Sequence, residues 1–428
     1  MIRTVLLDLD DTLLDNKMEK FLPAYFKLLG DHLARYAEPE RMLRELITAT
    51  QAMLANLDPR LTLEQVFAEH FYPALGLDER EMAGTIEDFY RNEFSRLQNL
   101  TRSFPAVPGV VDGLLAQGYE VVIATNPLFP RLAIEQRLRW AELPPDEVDF
   151  TLVASYEDAH FAKPNPEYFA EILARLGRKP GEAVMIGDDL ERDIHPAEAL
   201  GLAVYYTGEK LNSGSVGGME DMESQVAALG LAIDGSGVPS DPCLASGPLT
   251  GLQLALKSGL GAERSTTDAP PGILLARQRA VLAASRTMCS SLSTEGWVSQ
   301  PLEGEWAPVE IIAHLRDVER DVNLPRLHAI LAQDDPHLTA YDTDLWAEER
   351  SYISQDGPRA LEEYSQARME TIDLLAGLGP AAWNRPARHT LLGPTTLHEL
   401  MKISTDHDWL HMAQLRETLK ALEPQSAN

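Results

Sequence analysis

The sequence predicts an α/β domain built on a parallel sheet, followed by an all-α four-helix bundle. Up to about residue 206, short apolar runs alternate with segments of helical periodicity, which is typical of a parallel sheet covered by helices on both faces. From about residue 273 onward, apolar residues recur at helical spacing alone. A chain of 428 residues is also too long for one ordinary hydrophobic core, so we expect two or three domains.

The composition is that of a globular protein with an acidic excess, a formal net charge of -29. This charge argues against broad binding to nucleic acid or to an anionic membrane, since both need clustered Lys and Arg. The two cysteines, Cys243 and Cys289, form neither a CxxC pair nor a disulfide framework. No uncharged run approaches the roughly 20 residues of a membrane helix, and acidic residues interrupt the N-terminal apolar run. We therefore expect a cytoplasmic protein that binds neither nucleic acid nor membrane.

The first predicted strand ends in acidic residues. The apolar run from Val5 leads to Asp8 and Asp10, which the alternation of a strand places on one face at its C-terminal end. Ligands bind at that edge of open α/β sheets. Two adjacent carboxylates repel each other, so a cation or a divided proton-transfer role is a natural resolution. The alternative is a helix N-cap in which Asp10, Asp11 or Thr12 accepts backbone N–H bonds.

A block of helical periodicity from Lys17 to about Leu97 follows the first strand. Prolines and a glycine then break the chain before a predicted helix over 110–117, which Gly118 ends. Further strands are predicted over 119–124, 150–154, 183–186 and 203–206. Further helices are predicted over 128–139 and 167–176, with another that ends before Gly201.

Polar side chains recur where these strands end. Besides the two acids of the first strand, they are Thr125, Asn126, Lys163, Asp188, Asp189 and Asp193. Because the carboxyl ends of parallel strands meet at one edge of the sheet, we expect these side chains to converge although they are far apart in sequence. This convergence favours an active site over a simple helix cap.

The same residues form four short motifs in a fixed order, and with them the sequence resembles the haloacid dehalogenase-like superfamily over about residues 1–230. The motifs are Asp8-Leu9-Asp10-Asp11-Thr12, Thr125-Asn126, Lys163-Pro164, and Gly187-Asp188-Asp189 with Asp193. The resemblance implies a Rossmann-like sheet. It also implies that the inserted helices, at about residues 16–104, form a C1 cap that closes over the site and selects the substrate.

The resemblance implies a role for each residue of the edge. Asp8 would be the nucleophile that forms an aspartyl-phosphate, and Asp10 the general acid and then the base for water. Thr125 and the Asn126 backbone would hold the phosphoryl oxygens, while Lys163 would offset negative charge.

A Mg²⁺ site is implied as well, with ligands from the acids Asp8, Asp10, Asp188, Asp189 and Asp193. Dehalogenase members lack an Asp at the place of Asp10, because a halide leaves without a proton. The sequence therefore resembles a phosphatase, and its partner would be a small phosphorylated metabolite. No cap residue identifies that metabolite. Asn16, Lys17 and the aromatic residues at 21, 25 and 26 could line the entrance, although aromatic residues more often pack in a core.

A linker is expected between the two domains. Residues 230–272 are rich in Gly, Ser, Pro and Asp, so we assign 231–272 to a flexible linker. A short helix near 219–229 would finish the first domain, and another is predicted over 250–257 within the linker.

Four long helices of similar length are predicted in residues 273–428, which favours a four-helix bundle. They cover 273–292, 308–333, 358–378 and 395–422. Three histidines stand out: His314 lies in the second helix, and His407 and His411 in the fourth. The i, i+4 spacing of the last two puts them on one helix face, as in helices that offer two imidazoles to a metal. The alternative is a chance pair of surface histidines.

This region resembles the DinB-like four-helix-bundle superfamily over roughly residues 273–423. The matching residues are Trp306-Ala307-Pro308, the run Ala313 to Glu319, the run Gly393 to Leu397, and the run Asp406 to Leu415. The resemblance implies that the three histidines bind a second divalent metal, zinc, nickel or iron, with one position open to water or substrate. Asp317 and Asp408 could orient these ligands from behind, or lie at the surface.

Three hypotheses follow for the whole chain. The leading one is a Mg²⁺-dependent phosphatase fused to a metal-binding bundle. The second places the principal activity in the bundle, as a metal-dependent transferase or hydrolase that uses a low-molecular-weight thiol. The third treats the bundle as a non-enzymatic metal-sensing or dimerising module, which leaves open an oligomer formed through the bundle.

Overall fold

The computed structural model describes residues 2–208, 269–302, 304–343 and 345–423. Contacts divide the chain into two compact units, the first built mainly from residues before 208 and the second mainly from residues after 268. The helices predicted at 219–229 and 250–257 lie outside the described residues, as does the linker up to residue 268. The last linker residues are described, and a helix already begins at Pro271.

The described part of the first unit contains seven strands: β1 Thr4–Leu7, β2 Leu14–Asp15, β3 Arg102–Ser103, β4 Glu120–Ile123, β5 Leu152–Val153, β6 Ala183–Gly187 and β7 Ala203–Tyr206. Five of them form a parallel sheet in the order β5-β4-β1-β6-β7. All residues of β1 and β6 are buried, as expected where helices cover both faces of a parallel sheet. The predicted α/β class is confirmed, and β1, the strand that leads into Asp8, lies at the centre of the sheet.

Four helices lie between β2 and β3: α1 Met18–Leu33, α2 Pro39–Ala55, α3 Leu63–Leu75 and α4 Glu79–Asp88. A π-helical turn and a 3₁₀ helix, Phe89–Glu93 and Phe94–Leu100, complete the insertion. Because β2 and β3 pair antiparallel, the chain leaves the sheet domain and returns to it at one place. Phe94 stacks on Trp140 with ring centroids 5.5 Å apart, so the inserted helices share an apolar core with the sheet domain.

The helices between the later strands are α5 Val107–Ala116, α6 Arg131–Trp140, α7 Pro166–Arg175 and α8 His195–Leu200. They differ from the predicted ranges by a few residues at each end. Gly118 and Gly201, predicted as stops, have φ values of +78° and +102°, a region in which side chains with a Cβ are strained.

The second unit contains the helices α9 Pro271–Cys289, α10 Thr294–Val298, α11 Pro308–Val318, α12 Leu324–Ala332, α13 Trp346–Glu349, α14 Gly357–Ala376 and α15 Leu397–Leu422. The four long predicted helices are present, although a π-helical turn, Glu319–Asn323, separates α11 from α12. The long helices pack on one another as a bundle. Among the described residues, no helix combines the length and the apolar character needed to cross a membrane.

The prediction of helix throughout the second unit was wrong at one place. Three short strands form a small sheet in the order β10-β9-β8: β8 His337–Leu338, β9 Pro386–His389 and β10 Gly393–Thr396. The sequence predicts that the last helix begins at residue 395, but residues 395 and 396 end the strand Gly393–Thr396, and Thr396 is the N-cap of α15. β8 has only two residues, and Pro386 in β9 and Pro394 in β10 argue against a strand, so no sequence signal indicated this sheet.

Candidate active site and candidate metal centre

Three carboxylates meet at the carboxyl edge of the parallel sheet. Asp8 directly follows β1, Asp188 follows β6, and Asp193 lies in the π-helical turn Leu190–Ile194. One oxygen of each carboxylate lies within 4.8 Å of the others. Asp8 and Asp193 are buried, and Asp188 is half-buried. Carboxylate oxygens are the ligands that Mg²⁺ prefers in proteins, so this acidic cluster of Asp8, Asp188 and Asp193 could hold one.

Lys163 joins two members of the acidic cluster. Its Nζ donates to Asp8 Oδ1 at 2.7 Å and to Asp193 Oδ1 at 2.5 Å, and the side chain is buried. Burial lowers the pKa of Lys163, but the charges of the two carboxylates outweigh it and raise the pKa above its ordinary value. Lys163 is therefore a cation that offsets part of the negative charge at this edge.

Burial and mutual repulsion disfavour the charged form of two carboxylates in the acidic cluster. Burial raises the pKa of Asp8 well above its ordinary value, because it outweighs the opposing effect of Lys163. Burial and the charge of Asp193 raise the pKa of Asp188 to about 7. Carboxylates whose pKa values rise in this way bind a cation favourably, since the cation relieves both desolvation and repulsion. The acidic cluster thus fits a divalent ion.

Asp10 does not belong to the acidic cluster, although it is only two residues from Asp8. Its Oδ2 accepts from Arg137 Nη1 at 2.6 Å, and its Oδ1 accepts from Asn16 Nδ2 at 2.8 Å. Arg137 is 1% exposed. Sequence reasoning did not find Arg137, because it lies in a helix and in none of the motifs. The sequence did contain one indication. Arg137 lies on the same face of α6 as Ile134 and Leu138, and an Arg on an apolar helix face is buried only with a partner.

The other polar side chains of the first and last motifs lie outside the acidic cluster and make separate contacts. Asp189 accepts backbone N–H bonds from Glu191 and Arg192 and so caps the turn that carries Asp193. Asp11 accepts from the backbone of Asn16 and pairs with Lys17 at 3.0 Å. Thr12 Oγ1 donates to Asp188 Oδ1 at 3.4 Å. The helix-cap alternative thus describes Asp189 and not the first motif, whose next helix begins only at Met18.

Thr125 and Asn126 follow β4, the neighbour of β1 in the sheet. Thr125 is buried, and its backbone carbonyl accepts from the Tyr168 hydroxyl at 2.6 Å. The Asn126 side chain accepts from the backbone N–H of Lys163 at 3.2 Å. This bond ties the Thr125-Asn126 motif to the Lys163 turn, so the position of one motif restrains the other.

In the second unit, the three predicted histidines converge. His314 of α11 and His407 and His411 of α15 each have a ring nitrogen within 4.8 Å of the others, and the Nε2 atoms of His314 and His407 are 3.1 Å apart. Burial, reinforced by the other two rings, lowers the pKa of His314 to about 3. His314 is therefore neutral near pH 7, which is the form that binds metals. The buried Nδ1 of His314 has no hydrogen-bond partner among the described residues.

Hydrogen bonds from behind orient two of these rings. His411 Nδ1 lies 2.9 Å from Gln414 Oε1, and His407 Nδ1 lies 3.4 Å from Asp408 Oδ1. A ring that donates from Nδ1 leaves Nε2 free to bind a metal, so these contacts support a three-histidine centre. Trp306 stacks on His411 with a centroid separation of 5.8 Å and an angle of 4°.

The two acids expected to orient the histidines behave differently. Asp408 contacts His407 and is held by Arg368, which is fully buried and also pairs with Glu319. The carboxylate of Asp317 instead accepts from arginine side chains and from the Tyr352 hydroxyl, an arrangement that ties helices together. Sequence reasoning did not find Arg368, which belongs to no motif, and it gave no role to Glu319, although Glu319 ends the run Ala313 to Glu319.

Comparison with known families and proteins agrees with this division. Residues 2–201 match the family model of haloacid dehalogenase-like hydrolases, and residues 276–415 match the model of the DinB superfamily. The pyrophosphatase PpaX of Bacillus cereus (strain AH820) is 29% identical over 188 residues, 44% of this chain and 75% of the relative. PpaX of Bacillus anthracis (strain A0248) matches with the same identity and coverage.

Two solved structures resemble one part of the chain each. The first is YfiT from Bacillus subtilis, described as a probable metal-dependent hydrolase with an unusual four-helix bundle topology. It is 18% identical, has a TM-score of 0.33, and the match covers 37% of this chain and 90% of YfiT. The second is a HAD phosphatase from Thermococcus onnurineus, at 21% identity and a TM-score of 0.33, with coverage of 50% of this chain and 89% of that chain.

Proposed function

We propose that the haloacid dehalogenase-like hydrolase domain at residues 2–201 is a Mg²⁺-dependent phosphatase that acts on a small phosphorylated metabolite. The observation that carries the proposal is the arrangement at the carboxyl edge of the sheet. There Asp8 lies beside Lys163 and two further carboxylates, while Asp10 is held separately by Arg137. Two carboxylates in different environments can divide the tasks of nucleophile and acid.

The proposed reaction has two steps. Asp8 attacks phosphorus, the bond from phosphorus to the leaving oxygen breaks, and that oxygen takes a proton from Asp10. Asp10 then accepts a proton from the water that attacks the aspartyl-phosphate, and inorganic phosphate leaves with Asp8 restored. Mg²⁺ held by Asp8, Asp188 and Asp193 would supply charge neutralisation at the phosphoryl group.

The remaining residues of the edge position these groups. Lys163 neutralises Asp8 and Asp193, so that an anionic phosphoryl group can approach. Thr125 and the Asn126 backbone would bind the phosphoryl oxygens. Two hydrogen bonds, from Arg137 and Asn16, hold the Asp10 carboxyl in one orientation. We therefore add Arg137 and Asn16 to the predicted site as positioning residues.

The test is phosphate release from a panel of phosphorylated metabolites by the full chain with Mg²⁺. Asp8→Asn keeps the shape of the side chain but cannot attack phosphorus, so we expect a loss of about 10³-fold or more. Asp189→Asn is the control, because Asn accepts the same backbone N–H bonds at an N-cap and so keeps the turn that carries Asp193. Activity that survived Asp8→Asn would make the assigned nucleophile wrong.

For the DinB superfamily domain, the converging histidines support a centre for a divalent transition metal, such as zinc, nickel or iron. The metal content of the full chain should fall by one ion on His407→Ala and stay unchanged on His328→Ala, since His328 is exposed. Equal metal content in both variants would contradict the proposed three-histidine metal centre.

A thiol-transfer assay then separates a transferase or hydrolase from a non-enzymatic sensor.

A further inference from the structure

The second unit contains a cavity of about 240 Å³ beside the three-histidine centre. His407, one of the three histidines, is among the residues that line it. The other walls come from α11, α12 and α15, from the π-helical turn between α11 and α12, and from the segments that follow β8 and β9. Because a proposed metal ligand forms part of the wall, a molecule in this cavity would lie beside the metal.

The cavity is elongated and has His407 at one end. Ser404 and Leu400 line it three and seven residues before His407 on α15. With a rise of about 1.5 Å per residue, the cavity spans roughly 10 Å of that helix. Asn323, on the opposite wall, donates to Ser404 Oγ at 3.0 Å and so joins the two walls.

Arg326 lies toward the other end of the cavity. It lines the cavity 12 residues after His314, roughly three helical turns further along. Its Nη2 donates to the Thr339 carbonyl oxygen at 2.7 Å and to His389 Nε2 at 3.0 Å. Within the described part of the chain, no carboxylate pairs with this half-buried guanidinium, and its buried Nε makes no hydrogen bond. Arg326 is therefore a cation with donors to spare and no counter-ion.

This end of the cavity offers one positive charge. Among the described residues that line the cavity, none is Asp or Glu. A guanidinium has only donors, so His389 Nε2 accepts from Arg326 and the ring is neutral. Burial and the charge of Arg326 also lower the pKa of His389. One guanidinium matches the single charge of a carboxylate, whereas a phosphate monoester carries nearly two negative charges at pH 7.

The walls between the two ends are mostly apolar, with side chains from Val318, Val322, Ile330, Leu400, Met401 and Ile403. An engineered apolar cavity of about 150 Å³ in another protein binds benzene. On that scale, a cavity of about 240 Å³ accepts on the order of ten non-hydrogen atoms. An apolar chain with one charged end therefore fits it.

Apolar side chains also surround the opening of the cavity. Four that line it are exposed to solvent, namely Tyr341, Leu391, Leu392 and Ile403. Clustered apolar side chains that remain exposed are typical of a binding site rather than of an ordinary surface.

From these observations we propose that the second unit binds an aliphatic monocarboxylate, with the carboxylate on Arg326 and the other end of the chain beside His407. The guanidinium would form charge-assisted hydrogen bonds to the carboxylate, and burial of the chain would add a hydrophobic contribution. The inference deepens the function proposed for the DinB superfamily domain and rests on it in one respect, since the far end of the ligand would lie at the metal.

The experiment measures binding of octanoate to the full chain by titration calorimetry, with octanol and acetate as comparison ligands. Octanol lacks the charge and acetate lacks the chain, so we expect octanoate to bind more tightly than either. Arg326→Gln should weaken octanoate binding about tenfold or more and leave octanol nearly unchanged. Arg388→Gln is the matched control, because Arg388 is an exposed arginine of β9 that pairs with Asp335.

A second variant tests the cavity itself. Ala340→Phe fills part of the cavity from the segment after β8, so octanoate and octanol should both bind more weakly. Ala332→Phe is the control, because Ala332 is exposed at the end of α12 and does not line the cavity. Unchanged affinities in Ala340→Phe would place the ligand elsewhere and overturn the inference.

Equal weakening of octanoate and octanol in Arg326→Gln would also overturn it, because Arg326 would then not recognise the carboxylate. Octanoate binding that is lost on removal of the metal and unchanged in Arg326→Gln would place the carboxylate on the metal and contradict the assignment to Arg326. No binding of octanoate to the wild-type chain would refute the ligand class, while metal analysis decides separately whether the proposed centre exists.

Discussion

Asp8 and Asp10 are separated by one residue, yet they lie in different electrostatic surroundings. Asp8 shares a buried site with two further carboxylates and one lysine, and its pKa is raised by burial. Asp10 faces Arg137, which comes from a helix 127 residues further along the chain. The strand places both acids at one edge, but their neighbours assign them different chemistry.

Arg137 should matter most for substrates with poor leaving groups. Arg137→Gln removes the charged donor that holds Asp10, so we expect kcat for methyl phosphate to fall by about 10²-fold. Phenyl phosphate should lose less, because its leaving oxygen needs less help from an acid. Arg139→Gln, an exposed change on the same helix, is the control. Equal losses on both substrates would mean that Arg137 does not act through the acid.

If Asp188 binds Mg²⁺ as proposed, its raised pKa should make the effect of Mg²⁺ depend on pH. Its folded pKa of about 7 lies above the ordinary value of 3.8, so this group stabilises the metal-free protein below about pH 4 and loses that contribution as pH rises through 7. Mg²⁺ must compete with the proton below pH 7. The rise in Tm on adding Mg²⁺ should therefore be larger at pH 8 than at pH 5.5, as measured by thermal unfolding.

Asp188→Asn should abolish most of this difference, whereas Asp189→Asn should keep it. A Tm rise that is the same at both pH values in the wild-type chain would argue against Asp188 as a ligand of the ion.

At the scale of elements, the end of β6 determines where Asp193 lies. Gly187 is the last residue of β6, and a Cβ at this position would clash with the carboxylate of Asp193. The strand therefore has to end in a residue without a side chain if Asp193 is to reach Lys163. The capped turn after it, with Asp189 as N-cap, then presents Asp193 to the acidic cluster.

Gly187→Ala should displace Asp193 and lower phosphatase activity by about 10²-fold, since small misplacements in a site have large kinetic effects. Gly84→Ala is the control. Gly84 lies in α4 with open space around the position of a Cβ, so that change should leave activity intact and stabilise the helix by about 0.5 to 1 kcal/mol. Activity assays and denaturant unfolding of both variants distinguish the outcomes. Full activity in Gly187→Ala would show that the position of Asp193 is not critical.

At the scale of the whole molecule, the described residues form two donor sets of different chemistry. The first unit offers carboxylate oxygens, which suit Mg²⁺, and the second offers neutral imidazoles, which suit transition metals. The net charge of -29 does not by itself show which of the two donor sets binds which metal.

We expect that a substitution in one metal site leaves the function of the other site unchanged. Asp188→Asn should lower Mg²⁺-dependent phosphate release and keep the transition metal, while His407→Ala should release that metal and keep phosphatase activity. Metal analysis and phosphate release on the full-length variants check both expectations. Loss of phosphatase activity on His407→Ala would show instead that the sites depend on each other.

Much of the first unit was predictable from local sequence. Apolar runs, helical periodicity and stops such as Gly118 and Gly201 located the strands and helices within a few residues. These signals are local, because they depend on residues within one or two turns of one another. The small sheet of the second unit was missed, since Pro386 in β9 and Gly393 and Pro394 in β10 are residues that argue against a strand.

The sequence by itself determined the alternation of strands and helices, and therefore which polar residues reach the carboxyl edge of the sheet. Only the tertiary structure decided that Asp193 joins the acidic cluster while Asp189 caps a turn, and that Arg137 holds Asp10. It also decided that side chains from all four inserted helices line an uncharged cavity. The physical reason is that a strand's end follows from nearby residues, whereas burial, pairing and cavities follow from contacts between segments far apart in the chain.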